Sequence, residues 1–426
     1  MKIGLINPPH SYKADKSNIN FYHLGGIGFV DAVLRQEGHE VKNLDFAHNS
    51  NSLLEEIDNC NVVGVGSYLD SYGFLKKTLP KLKGKKIIVG GSLISSYGLN
   101  DNNLLMRTFP EIDFGVIGEG EKTTKDLVSF LEKKGDLPSG VVYRTNGSIK
   151  TTKKQKQIEN LDKLPEIEYS IWPFLSEKIN KNIFDLNTSR GCYSACSFCF
   201  KIFPKVRGFS LKRVERDLEK ISRLKPSSLY ISDDTFSYNK ERSKGIGKLL
   251  QKFGIPYRLE TRVTDVDKDL LKVLKETGCL QVKYGIESFD ENILKKVSKN
   301  ITRNQIDRAI NLTQEAGIET LGFFIVGLPG ENKNSLETTI KGIEKTKILP
   351  RARLLMPLPG TRIYTEALKD GKINEEELLE QFSKPGQYDT AEGSWVPINL
   401  SDGLSDAELI EARDQIKELR DKLERK

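Results

Sequence analysis

Cys192, Cys196 and Cys199 stand in the segment Thr188-Ser-Arg-Gly-Cys-Tyr-Ser-Ala-Cys-Ser-Phe-Cys-Phe200, a Cys-x3-Cys-x2-Cys spacing. Three thiolates on one tight loop can hold three corners of a four-iron four-sulfur cube ([4Fe-4S]) and leave the fourth iron without a protein ligand. An iron left open in this way is a site for a chelating substrate. A structural zinc would need a fourth ligand. All four histidines, His10, His23, His39 and His48, lie far upstream, so that ligand would have to be Cys60 or Cys279. Both read instead as small buried apolar side chains. Three crowded cysteines in an odd total of five point to metal in a reducing compartment, the cytoplasm, rather than to disulfides.

The elements that must position this loop follow from length and patterning. At about 150 residues per domain, 426 residues make two or three domains. With 37% hydrophobic and 29% charged residues the chain is globular rather than disordered. Its longest apolar run, Leu321 to Leu328, is far short of the roughly 18 residues of a membrane span. Lys and Arg exceed Asp and Glu by 66 − 59 = 7 with no basic block, so a nucleic-acid partner is not expected. Met1 runs straight into a strand without a secretory signal pattern.

Short apolar runs at Lys2–Ile6, Val41–Phe46, Val62–Val65, Lys86–Val89 and Phe114–Ile117 alternate with helical periods. The fold class expected is therefore α/β, beginning with a Rossmann-like open parallel sheet over residues 1–150. Residues 151–182, punctuated by Lys and Pro, read as a linker. Six further strand–helix units over 183–370, with strands near 183–187, 228–231, 257–260, 280–285, 321–326 and 353–356, predict a partial (β/α)6 barrel whose working face is the carboxyl end of its strands. Residues 371–426 read as mainly helical. There Leu409, Ala412, Ile416, Leu419 and Leu423 form one apolar stripe, expected to dock on the barrel, with a dimer seam as the alternative.

The cysteine spacing, Phe198 before the last cysteine and the six units resemble the radical S-adenosylmethionine (radical SAM) superfamily. The resemblance implies that the methionine amine and carboxylate of S-adenosylmethionine chelate the open iron and that a 5′-deoxyadenosyl radical forms. It places Ser232-Asp233-Asp234 toward the methionine amine; departure from the commoner Gly-Gly-Glu pattern leaves open which carboxylate binds. Glu260 and Arg262, then Glu287 and Ser288, fall where relatives contact ribose or the methionyl end. Gly322–Gly330 and Met356-Pro357 fall on the adenine side. Each has a plainer reading: Asp233 as a helix cap, Glu287 as a strand-end ion pair, and the Pro-Gly pairs as turns.

The first domain resembles the cobalamin-binding domain fused to one subgroup of that superfamily. The matching loops are Asn7-Pro8-Pro9, Ser67-Tyr68-Leu69-Asp70, Gly90-Gly91-Ser92 and Gly118-Glu119-Gly120, all at the carboxyl edge of a parallel sheet. The Asp-x-His-x-x-Gly signature of a histidine below cobalt is missing. Asp45-Phe-Ala-His48 has the wrong spacing, and His10 is not expected to be a ligand. The plainer reading is a degenerate domain kept for packing or substrate binding.

Together the resemblances imply a cobalamin-dependent radical SAM methyltransferase acting on an unactivated carbon, or phosphorus, of a small-molecule substrate, with a low-potential electron donor such as flavodoxin or ferredoxin. The loop Pro385–Pro397, with Tyr388 and Trp395, is a candidate for substrate contact. A cyclase or ring-rearranging enzyme without methyl transfer is the alternative within the superfamily. A non-catalytic iron-sulfur or corrinoid protein is the alternative outside it. The single Cys60 in the first domain argues against a methylthiotransferase.

Overall fold

The structure, a computed structural model, describes residues 1–9, 19–22, 24–46, 54–172, 181–203, 205–381 and 397–425. The candidate residues His10, His48, Tyr388 and Trp395 lie outside them. The chain divides into two compact units, Met1–Asn182 with Glu376–Gln387, and Ile183–Glu375 with Tyr388–Lys426.

In the first unit, strands β1 (Lys2–Asn7), β2 (Glu40–Asp45), β3 (Val62–Gly66), β4 (Lys86–Gly90) and β5 (Phe114–Val116) lie in the order β2-β1-β3-β4-β5, all parallel. Their apolar runs are nearly continuous because a parallel sheet is covered on both faces. On one face Ile3, Leu5, Val41, Val62 and Ile88 pack with Leu34, Leu127 and Val128 from helices Gly25–Gln36 and Gly120–Leu131. Each such fully buried aliphatic side chain contributes roughly 1.5–3 kcal/mol. The sheet does not stop at five strands. β6 (Val141–Thr145) and β7 (Ser148–Thr151) add an antiparallel hairpin after β5, so the expected domain edge at residue 150 falls inside a strand. Helix Glu375–Gln381 also belongs largely to this unit: the Lys76 ammonium pairs with Glu380 at 2.7 Å and the Tyr72 hydroxyl donates to the same carboxylate.

In the second unit, β8 (Lys181–Leu186), β9 (Ser228–Ile231), β10 (Tyr257–Thr261), β11 (Cys279–Glu287), β12 (Glu319–Val326) and β13 (Leu349–Leu354) are parallel neighbours in strict chain order. Right-handed crossovers in that order put every connecting helix on one face. The other face is left for the site. β13 begins earlier than expected, at Leu349; it lies at the sheet edge, where Pro350 costs no ladder bond. Helix starts are capped by side chains, Thr302 with Gln305 and Asn332 with Ser335 forming reciprocal boxes. The terminal helix Asp406–Glu424 is likewise boxed by Ser405 and Glu408. It buries Leu409, Ala412 and Ile416 against β13 and helix Lys333–Thr346, where Lys333 pairs with Glu408 at 2.7 Å. Leu419 and Leu423 remain half-buried. Among the described residues no helix is long and apolar enough to cross a membrane.

Candidate active site

The cysteine loop springs from the carboxyl end of β8. Ser189–Arg190 pairs antiparallel with Arg207–Gly208 and so closes the loop at its base. Gly191 sits at φ +91°, and a β-carbon there would meet the Lys205 carbonyl oxygen at 2.2 Å, so this turn requires glycine. Further out, the Ser197 N–H donates to the Val297 carbonyl at 2.9 Å and the Ser197 carbonyl accepts from the Ile363 N–H at 3.1 Å. The Thr235 hydroxyl lies 3.4 Å from the Cys192 sulfur.

Asp233 is the strongest fastener of this loop. Its carboxylate accepts from the Thr188 and Ser189 N–H groups at 2.6 and 2.9 Å and from their hydroxyls at 2.5 and 2.7 Å. It is 1% exposed. Burial pushes its carboxyl up, while the hydroxyl and amide donors and the nearby Arg242 guanidinium pull it back. The expectation that Asp233 faces a methionine amine is therefore corrected: its lone pairs are spent inside the protein. Asp234 points the other way. As a residue it is exposed, and its carboxylate accepts from the Gly191 N–H at 2.9 Å beside the cysteines. Packing against the loop pushes its carboxyl up, with that N–H and Lys201 acting against the shift.

Ser288 is a second correction. It is fully buried, its hydroxyl 3.0 Å from that of Thr339 and accepting from the Asp290 N–H at 3.1 Å, so it ties β11 to the following helices. Glu287, one residue earlier, holds φ +70° at an irregularity in the β11–β12 register. A left-handed non-glycine residue costs on the order of 1–3 kcal/mol and persists where its surroundings impose it. Here the carboxylate is tied to the Lys299 ammonium in a buried ion pair of 2.8 Å. Lys299 also lies 5.9 Å from the centre of the Phe198 ring, and its carbonyl accepts from Arg262 at 3.4 Å. Arg262 in turn donates to the Ser194 hydroxyl and stacks over Tyr193, whose hydroxyl donates to Asp265 at 2.7 Å. Glu287, Arg262 and Phe198 are thus brought together on the cysteine loop. The residue that joins them, Lys299, carries no motif; its neighbours Ser298 and Asn300, both at positive φ, are its only local marks.

Glu260 is set apart, on the inner face of the sheet, where it accepts from the Tyr230 hydroxyl. Met356 is half-buried and Pro357 buried, both just past β13.

Among the described residues no three potential ligands converge on a single metal ion. The cysteines nonetheless sit within one another's fields. The Cys199 thiol is pushed up to about 12 by desolvation, then by Cys196, Asp234 and Cys192. Three thiolates crowded so need cationic compensation, which the irons of a cube supply when spread over its corners. The donor set fits a [4Fe-4S] cluster on Cys192, Cys196 and Cys199.

At the carboxyl edge of the first unit the loops after β3 and β4 interlock. The Ser67 hydroxyl donates to the Gly90 carbonyl at 2.8 Å and accepts from the Ile94 N–H at 3.3 Å. Gly91, at φ +109°, passes so close that a β-carbon would meet the Ser67 carbonyl oxygen at 2.4 Å. Asn7, Ser67 and Glu119 are buried, with Glu119 accepting from the Ile158 N–H at 2.8 Å, so their side chains brace the edge from within. Pro9, Tyr68, Leu69, Asp70, Gly90, Gly91, Ser92, Gly118 and Gly120 are half-exposed along it, while Pro8 is buried. A β-carbon on Gly90 would touch only Val116, at 3.9 Å, so a flat group has open backbone to approach. This edge fits a corrin. His39 lies at the opposite edge, against the N-terminal ammonium.

Residues 186–343 match the Radical SAM superfamily and residues 20–128 the B12 binding domain family. An uncharacterized methyltransferase of Pyrococcus horikoshii is 30% identical over 393 residues, covering 88% of this chain and 84% of that one. The anaerobic magnesium-protoporphyrin IX monomethyl ester cyclase of Rubrivivax gelatinosus is 29% identical over 252 residues, 56% of this chain and 45% of that one. Among solved structures, the radical S-adenosylmethionine methyltransferase TsrM of Kitasatospora setae, with cobalamin and a [4Fe-4S] cluster bound, shares the fold at a TM-score of 0.71 and 16% identity, over 87% of this chain and 75% of that one. The chain belongs to the radical SAM enzymes that carry a cobalamin-binding domain, with a [4Fe-4S] cluster, S-adenosylmethionine and cobalamin as its cofactors.

Proposed function

We propose that this enzyme is a methyltransferase acting on an unactivated carbon, or phosphorus, of a small metabolite. The observation that carries the reading is likeness to a methyltransferase at 30% identity over 88% of this chain and 84% of that one, whereas cyclase relatives are 26% to 29% identical and are covered over 45% to 68% of their length. When bound, the cluster supplies the electron that splits S-adenosylmethionine, and cobalamin carries the methyl group.

The chain's own residues bind and orient. Asp234, the carboxylate left free to face outward once Asp233 is spent, is assigned to the methionine ammonium. Glu287, held by Lys299, and Arg262, held over Tyr193, fix the walls around the cysteine loop. The backbone of Gly90 to Ser92 is assigned to the corrin edge. A low-potential donor such as flavodoxin or ferredoxin is assigned to deliver the electron.

The test is product stoichiometry. Reduced, cofactor-loaded enzyme is given methyl-deuterated S-adenosylmethionine and a small-molecule extract of its host. The expected result is a metabolite gaining a trideuteromethyl group while 5′-deoxyadenosine and S-adenosylhomocysteine rise together. A product formed with 5′-deoxyadenosine but with neither S-adenosylhomocysteine nor methyl gain would replace this reading with the cyclase alternative.

A further inference from the structure

Three consecutive residues after β9 meet the cysteine loop in order. Asp233 takes the Thr188 and Ser189 N–H groups at 2.6 and 2.9 Å, Asp234 takes the Gly191 N–H at 2.9 Å, and the Thr235 hydroxyl lies 3.4 Å from the Cys192 sulfur. The contacts advance together along both segments, and the last falls on a cluster ligand. Thr235 is fully buried. The residues after it are tied down as well: the Phe236 carbonyl accepts from the Ser243 hydroxyl at 3.0 Å, and the Ser237 N–H donates to the Thr261 hydroxyl at 3.3 Å. A side chain anchored on both sides has little freedom to leave the sulfur.

The three cysteine sulfurs are not treated alike. Cys192 Sγ also lies 3.5 Å from the Ser194 N–H, so two donors converge on it. Cys199 Sγ faces a carbonyl instead, that of Phe200 at 3.7 Å, and among the described residues neither it nor Cys196 Sγ has a donor. The Thr235 hydroxyl has one proton and two acceptors, the Cys192 sulfur and the Asp234 carbonyl at 2.7 Å. A metal ligand must be a thiolate, which accepts and cannot donate. Because a hydrogen bond strengthens with the charge of its acceptor, ligation draws that proton toward sulfur, and an added electron draws it further. Donors to sulfur are among the levers that set an iron–sulfur potential.

We propose that Thr235 tunes the cluster: its hydroxyl donates to the Cys192 sulfur, raises the reduction potential and so makes the cluster easier to reduce. The inference goes beyond the functional reading above and is independent of whether the substrate gains a methyl group. Thr235 acts through Cys192 and is a positioning residue, touching neither S-adenosylmethionine nor substrate in this role.

The test is a redox titration of the reconstituted protein without S-adenosylmethionine, with titanium(III) citrate as reductant. The reduced cluster is read by electron paramagnetic resonance and iron is counted in every sample. Two variants remove the hydroxyl, Thr235→Val at nearly the same volume and Thr235→Ala at a smaller one. Both are expected to lower the midpoint, so that the ratio of reduced to oxidised cluster at a fixed potential falls severalfold; a tenfold fall is about 59 mV for one electron. Thr235→Ser should restore the unaltered midpoint. Electron–nuclear double resonance should show an exchangeable proton coupled to the reduced cluster that Thr235→Val and Thr235→Ala lose and Thr235→Ser keeps. Unchanged midpoints in both hydroxyl-free variants at full iron content overturn the proposal, as does a shift in only one of them, which marks packing. Iron lost from both but kept in Thr235→Ser assigns the hydroxyl to holding the cluster and overturns the tuning role. Absence of any exchangeable-proton coupling in the unaltered protein overturns it whatever the variants hold.

Discussion

Asp233→Ala removes the acceptor for four donors at the root of the cysteine loop. The two hydroxyls can turn elsewhere, but the Thr188 and Ser189 N–H groups are fixed by the backbone and are left buried without partners. At about 1–3 kcal/mol for each orphaned donor the local cost is about 4 kcal/mol, close to a thousandfold in the population of the detached loop. Asp233→Asn keeps one oxygen for both N–H groups and presents its amide to hydroxyls able to accept, so about 1–2 kcal/mol is expected. A chain of two units does not unfold in two states, so the assay is local: amide hydrogen exchange over residues 186–191, with iron content after reconstitution. The alanine variant should exchange several hundredfold faster or more and hold less than half the iron, and the asparagine variant should lie between it and the unaltered protein. Unchanged exchange and full iron in Asp233→Ala, together with lost S-adenosylmethionine binding, would refute the fastening role and return Asp233 to the cofactor.

Gly191→Ala drives a β-carbon into the Lys205 carbonyl and should lower iron incorporation severalfold, read by elemental analysis, with the secondary structure by circular dichroism unchanged. Lys299→Met leaves the Glu287 carboxylate buried and unpaired and should ease local opening around it by about 3–5 kcal/mol, read by amide hydrogen exchange over residues 284–300. Adding Glu287→Gln should recover part of that, and a double-mutant coupling below about 0.5 kcal/mol would refute the pairing. Glu331 is 1% exposed and accepts from the Gly327 N–H at 2.5 Å, and burial raises its carboxyl from 4.5 to about 7. The folded state therefore binds the extra proton, and stability falls as pH rises between about 4.5 and about 7, by on the order of 3 kcal/mol at most. The pH dependence of amide hydrogen exchange over residues 327–336 across that window, corrected for intrinsic exchange, should flatten in Glu331→Gln.

Both layers of the architecture were legible because parallel strands under helices write themselves as apolar runs broken by amphipathic periods. The hairpin of β6 and β7 was also written, in Asn146-Gly147 between alternating strands, with both turn residues at positive φ. Its place beyond the expected sheet edge hid it. Helix Glu375–Gln381 could not be placed from sequence, since Lys76 and Glu380 meet across 304 positions. The cysteine loop was legible because its spacing is local. Asp233 and Asp234 were not separable, because adjacent side chains at a strand end point opposite ways and only the fold decides which is inside. Ser288 failed for the same reason. Lys299 carries no sequence signal; it matters through partners on other strands and loops.

The most direct test of the account is elemental mass spectrometry on protein isolated without oxygen and reconstituted with iron, sulfide and cobalamin. About four irons, as a cube-type cluster requires, and about one cobalt per chain are expected. Replacing Cys192, Cys196 and Cys199 together with Ala should remove the iron and leave the cobalt. Stoichiometric zinc in place of iron, with no cobalt retained, would contradict it.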